Sequence, residues 1–164
     1  MATIYISIGS NIEPEKYVKA ALSELTYHLG AIKCSSVYES EAVGFEGSNF
    51  LNMVVGAETD LSIAQVVSLF KEIEQLHGRQ RGAKKFSPRT IDLDLLLYDD
   101  QVTETPIVLP RGEIVYNAFV LWPLAELAPT EVHPVTQKSY QQMWTDFDKS
   151  SQHLWPVAFE LPVQ

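Results

Sequence analysis

The run Arg89-Thr90-Ile91-Asp92-Leu93-Asp94-Leu95-Leu96-Leu97-Tyr98 constrains this chain most. A short Ile- and Leu-rich stretch of this length predicts a strand. Side chains on a strand alternate, so Asp92 and Asp94 share one face, while Ile91, Leu93 and Leu95 take the other. Two carboxylates on one face of an apolar strand repel each other and resist burial. A hard divalent cation of the Mg²⁺ kind removes that cost. The segment just before it carries Arg79, Arg81, Lys84, Lys85 and Arg89, broken by Gly82 and Pro88. Such a stretch predicts a mobile basic loop. Carboxylates for a metal beside cations for phosphate form the equipment of phosphoryl transfer. The plainer reading is a surface salt-bridge cluster next to a solvated loop. Against it stands the overall balance: with 12 Lys+Arg against 21 Asp+Glu, the chain is acidic, yet its cations gather here.

A net charge of −9 argues against non-specific binding to nucleic acid or to an anionic membrane. One cysteine, Cys34, excludes an intrachain disulfide and a multi-Cys metal site, which fits a reducing cytoplasm. His28, His133 and His153 lack ligand-spaced partners, so zinc is not expected. No apolar run is long enough to span a membrane, and the N-terminus reads as a strand instead of a signal peptide. The length predicts one domain, residues 1–164, with a less regular extension from about residue 130.

Along the chain, Thr3 to Ile8 predicts a first strand, and Pro14 opens a helix that Gly30 stops. Residues 32–43 predict one second strand and residues 50–57 a third. Asp60 is expected to cap a second helix with Ile63, Val66, Val67, Phe70, Ile73 and Leu76 on its buried face. The Asp-Leu-Asp strand follows. Thr103 to Pro110 is expected as a proline-interrupted edge. A third helix is expected from about Asn117 to Leu127 and a short one over 141–147. The order β-α-β-β-α-β is that of an α+β ferredoxin-like sandwich, an antiparallel-rich sheet with helices on one face.

Ser10-Asn11, Phe50-Leu51-Asn52, Arg89-Thr90-Ile91-Asp92-Leu93-Asp94 and Phe119-Val120-Leu121-Trp122-Pro123-Leu124 occur in this order. Together they resemble the 6-hydroxymethyl-7,8-dihydropterin pyrophosphokinase family of folate biosynthesis, over about residues 3–130. The resemblance implies transfer of pyrophosphate from ATP to a reduced pterin, leaving AMP. It implies two Mg²⁺ ions held by Asp92 and Asp94, and catalytic cations at Arg79 and Arg89. ATP would be bound by Glu74, Arg81, Phe86, Leu95, Ile107, Val108 and Arg111. The pterin would meet Val43, Gly44, Phe50, Asn52 and Phe119. No nucleic-acid or membrane partner is implied, and a cytoplasmic monomer is expected.

The chain also departs from the family pattern. Arg111 and Gly112 stand where a His-Tyr pair is usual, Asn117 where an Arg is usual, and Phe86 where a loop Trp is usual. These changes surround the nucleotide side and spare the aspartates. They leave open a second reading, a non-catalytic or substrate-shifted paralogue that binds pterin or nucleotide.

Overall fold

Ala2–Ser10 forms β1, in which Ile4, Ile6 and Ile8 are fully buried on one face. Each such β-branched side chain removed from water contributes about 1.5–3 kcal/mol and favours extended backbone. In a computed structural model of the chain, residues 1–41, 49–78 and 90–160 are described. Val43, Gly44, Arg79, Arg81, Phe86 and Arg89, and with them the expected basic loop, lie outside those residues.

The elements after β1 are α1 (Pro14–Leu29), β2 (Ile32–Cys34), β3 (Val37–Ser40), β4 (Phe50–Thr59), α2 (Ile63–Leu76) and β5 (Asp92–Tyr98). Then come α3 (Glu113–Tyr116), α4 (Ala118–Leu127), α5 (Tyr140–Asp146), a 3₁₀ turn (Lys149–Ser151) and β6 (Leu154–Val157). The sheet order is β5-β1-β4-β3-β6, with β2 also on β4, and all pairings are antiparallel. This is the expected α+β ferredoxin-like sandwich, with further elements at its C-terminal end.

Several local expectations are corrected. The single strand over 32–43 is two strands, because Ser35 and Ser36 break it. Ser35 Oγ accepts a hydrogen bond from the Val54 N–H, and Ser36 donates to Glu126 through its N–H and its hydroxyl. Serine hydroxyls compete in this way with ladder pairing. The cap of α2 is Ser62, in a reciprocal capping box with Gln65, whereas Asp60 lies 3.7 Å from the N-terminal amine. Leu76 is 73% exposed, since the buried stripe through Val66, Phe70 and Ile73 passes on to position 77. Thr103 to Pro110 is not a sheet edge: the backbones of Thr103 and Leu109 pair with each other in an isolated bridge, and Leu109 plugs the core.

Helices cover both faces of the sheet, not one. The first core joins Ile4, Ile6, Ile8, Leu93 and Leu95 to α1 and α2. The second joins Val54, Leu96 and Leu97 to α3, α4 and α5. The switch within β5 is a bulge. Ile6 lies opposite Leu95 and Tyr5 opposite Leu97, so Leu96 is extra and the alternation flips there.

Candidate active site

The two aspartates stand on the face of β5 opposite the first core, as the alternation requires. Asp94 is in register with Ser7, and Asp92 with Gly9. Gly9 is also in register with Asn52 of β4, and Asn52 with Tyr38 of β3. One transverse row therefore carries Asp92, Gly9, Asn52 and Tyr38 on a common face. At the ordinary strand spacing, Asp92 and Asn52 are about 10 Å apart at the backbone. Gly9 has no side chain to fill the space between them. A Cβ built there would lie 3.4 Å from Asn52 Oδ1 and 3.9 Å from the Phe50 ring. Asn52 is buried, and its Nδ2 donates to Ser40 Oγ at 2.7 Å, which fixes the amide orientation.

Charge is concentrated on the β5 side of this row. Arg111 reaches Asp94 Oδ1 with Nη2 at 3.3 Å and Glu113 Oε1 at 2.9 Å. Its Nε also donates to Glu113 at 3.0 Å, and its backbone N–H donates to the carbonyl of the bulge residue, Leu96. Glu113 Oε2 accepts from Asn117 Nδ2 at 3.4 Å. Burial is the main cause that pushes the Asp94 carboxyl up to about 7. The Asp92 charge adds to it, Arg111 pulls back, and Glu113 and Glu74 raise it further. Burial works against the Arg111 charge, but Asp94 and Glu113 outweigh it and hold its pKa above the ordinary value.

Glu74 sits at the far edge of β5. It is buried on α2, and Oε2 accepts the Leu93 N–H at 2.9 Å, between the two aspartates. Leu95 is buried in the first core, so it can offer a ligand only its backbone. Ile107 is half-buried against that core, and Val108 is 60% exposed. Phe50 opens β4 beside Gly9, and Phe119 packs against the second core from the first turn of α4. The structure thus gathers Asp92, Asp94, Arg111, Asn52 and Phe50 around one row, while Leu95 turns away from it. Sequence reasoning missed Gly9, Ser40 and Glu113 as parts of this site.

The donors suit a hard cation. They are carboxylate oxygens with surplus negative charge, and the raised Asp94 value records a site that wants a positive partner. Among the described residues no cluster of three or more His, Cys, Asp or Glu could hold a metal ion. A carboxylate pair completed by phosphate oxygens and water is the usual arrangement for Mg²⁺. No helix among the described residues is long and apolar enough to cross a membrane.

The sequence profile described as 7,8-dihydro-6-hydroxymethylpterin-pyrophosphokinase (HPPK) matches residues 5–129. The 2-amino-4-hydroxy-6-hydroxymethyldihydropteridine pyrophosphokinase of Aquifex aeolicus is 37% identical over 145 residues, covering 87% of this chain and 90% of that one. The protein of the same name from Bacillus subtilis is 39% identical over 128 residues, covering 75% and 76%. The crystal structure of Plasmodium falciparum HPPK-DHPS wild type with pteroate superposes with a TM-score of 0.71 at 14% identity. It covers 88% of this chain and 42% of that longer one, a likeness of fold. By the extent of the profile match and by these identities, the chain belongs to the HPPK family.

Proposed function

We propose that this chain transfers the terminal diphosphate of MgATP to the hydroxymethyl group of 6-hydroxymethyl-7,8-dihydropterin, a step of folate biosynthesis. The observation that carries this reading is the row Asp92–Gly9–Asn52. It sets a carboxylate pair and a buried, oriented amide on one face with an empty glycine position between them.

The chemistry assigns a part to each side of the row. The Asn52 amide, with its Nδ2 on Ser40, presents its carbonyl and its remaining N–H to the amide edge of the heterocycle. Phe50 and Phe119 supply apolar walls. Asp92 and Asp94 would hold Mg²⁺, two ions by the family resemblance, which would supply charge neutralisation on the phosphates. Arg111 and, in sequence, Arg79, Arg81 and Arg89 are suited to grip phosphate oxygens through their planar forks. The pterin hydroxyl oxygen forms a bond to the β-phosphorus, and the bond from that phosphorus to the α–β bridging oxygen breaks. AMP leaves with the bridging oxygen, and the hydroxyl proton passes to solvent. We assign this activity to a cytoplasmic monomer. The acidic chain with a single cysteine is compatible with that setting.

The test is direct. The protein is incubated with MgATP and 6-hydroxymethyl-7,8-dihydropterin, and AMP and the pterin diphosphate are measured. Both should accumulate in equal amounts. Asp92→Ala and Asp94→Ala should each lower turnover by roughly a thousandfold, the loss expected with a phosphate-bridging cation. Nucleotide and pterin that bind without AMP release would favour the non-catalytic paralogue.

A further inference from the structure

We infer that Gln152, on the C-terminal segment beyond the family-matched residues 5–129, is a positioning residue for the pterin side of the site. The inference rests on the reaction proposed above. It stands on two hydrogen bonds of Gln152 and on a strand pairing two residues later.

The first two bonds are at the joint between α3 and α4. Helix α4 begins without a side-chain cap of its own, because Asn117 at its N-cap position turns its amide to Glu113. The orphan N–H of Ala118 is taken instead by Gln152 Oε1 at 2.7 Å. The same side chain donates from Nε2 to the carbonyl of Tyr116 at 2.7 Å. One amide thus clasps the backbone on both sides of Asn117. Phe119, the apolar wall assigned to the pterin, is the next residue after the clasped N–H. The body of α4 is anchored separately through Val120, Leu121 and Leu124 in the second core. Gln152 therefore governs the first turn more than the helix.

The third link follows two residues later. Leu154 opens β6 and is in register with Ser40 of β3. Ser40 is the acceptor that orients the Asn52 amide. β6 covers the edge of β3 and keeps that acceptor in place. Within residues 152–154 the segment thus holds both the Phe119 wall and the support of Asn52. Its bonds end at the joint that leads into Phe119, and its strand pairing ends at Ser40, so its larger effect is directed at pterin binding.

The experiment compares wild type, Gln152→Ala and Gln152→Glu. Steady-state constants are measured for both substrates, and pterin affinity is measured by calorimetry in the presence of a non-hydrolysable MgATP analogue. Gln152→Ala should raise the KM and Kd for pterin about five- to twentyfold, with the KM for ATP unchanged within twofold. Gln152→Glu keeps the acceptor for Ala118 but sets a carboxylate oxygen against the Tyr116 carbonyl, so it should recover only a minor part of the loss. A lowered Tm with unchanged pterin constants would make Gln152 a structural brace and overturn the inference. Equal changes for ATP and pterin would overturn it too. Wild-type protein that releases no AMP overturns the proposed reaction, and this inference with it. An active wild type with a pterin-indifferent Ala variant overturns this inference alone.

Discussion

Glu74 accepts the Leu93 N–H through Oε2 at 2.9 Å, so a buried carboxylate holds the backbone midway between the two aspartates. Leu93 is on an edge strand, and its N–H points away from β1. The bond does two things. It satisfies a buried donor, and it places a negative charge that helps raise the Asp94 pKa. Glu74→Gln retains an acceptor, so it should keep the fold and lower the Asp94 pKa toward the ordinary carboxylate range. Glu74→Ala leaves the Leu93 N–H unpaired and should cost about 1–3 kcal/mol. Urea melts of the two variants check this. Equal stability of Gln and Ala variants would remove Glu74 from the support of β5.

Gly9 separates space from stability. A methyl group there meets Asn52 Oδ1 at 3.4 Å and Phe50 at 3.9 Å, close to ordinary contact, and the glycine backbone is in regular β pairing. Gly9→Ala should therefore leave the Tm within about 3 °C, a change under 1 kcal/mol for a chain of this size. The same methyl group enters the gap between Asp92 and Asn52. Pterin KM should rise about tenfold in Gly9→Ala, and activity should vanish in Gly9→Val. Normal pterin kinetics in the Ala variant would mean that the ligand does not lie across this row.

The carboxylate pair was readable from sequence because its cause is local: alternation alone puts Asp92 and Asp94 on one face. The row that joins them to Asn52 was not, because Gly9 is set opposite both by strand register, a long-range property. The bulge at Leu96 is hidden in the uniform Leu95-Leu96-Leu97 run. The apolar pattern of residues 117–127 announced a buried helix without saying which face of the sheet it covers. Pro156 reads as a strand breaker, yet at the sheet's outer edge a residue without an N–H is tolerated. The link between Arg111 and Glu113 follows from a tight turn that brings the two carboxylates Asp94 and Glu113 to one guanidinium.

The raised Asp94 value carries a stability signature. A carboxyl whose folded pKa, about 7, exceeds its ordinary 3.8 favours the folded state while protonated. Its contribution is full below about pH 4 and is lost as pH rises through 7. In metal-free protein, Asp94→Asn removes that loss. The variant should equal wild type near pH 4.5 and exceed it at pH 8 by roughly 1–3 kcal/mol, after allowance for the lost Arg111 pairing. Thermal melts in EDTA across this range read it. A variant less stable than wild type at pH 8 would show that the Asp94–Arg111 pair outweighs burial.

Arg111 presents the sharpest test of the charged side of the site. Its Nη2 lies 3.3 Å from Asp94 and 2.9 Å from Glu113, a cation shared by two carboxylates. It stands as counter-ion to the same aspartate that the proposed reaction assigns to the metal on the phosphates. Removing it should have opposite effects on two ligands. Arg111→Ala should tighten binding of Mn²⁺ alone several-fold, because a positive charge beside Asp94 is gone. It should weaken MgATP about tenfold, because a phosphate fork is gone. Arg111→His should retain more ATP affinity than Ala. Glu113→Ala should be non-additive with Arg111→Ala, with a coupling of about 0.5–1.5 kcal/mol for a half-buried pair. Binding titrations of Mn²⁺ and of MgATP to wild type, the three single variants and the double Ala variant decide it. If both affinities stay at wild-type values in Arg111→Ala, the arginine is a bystander that only neutralises Glu113, and the site works without a cation at this position.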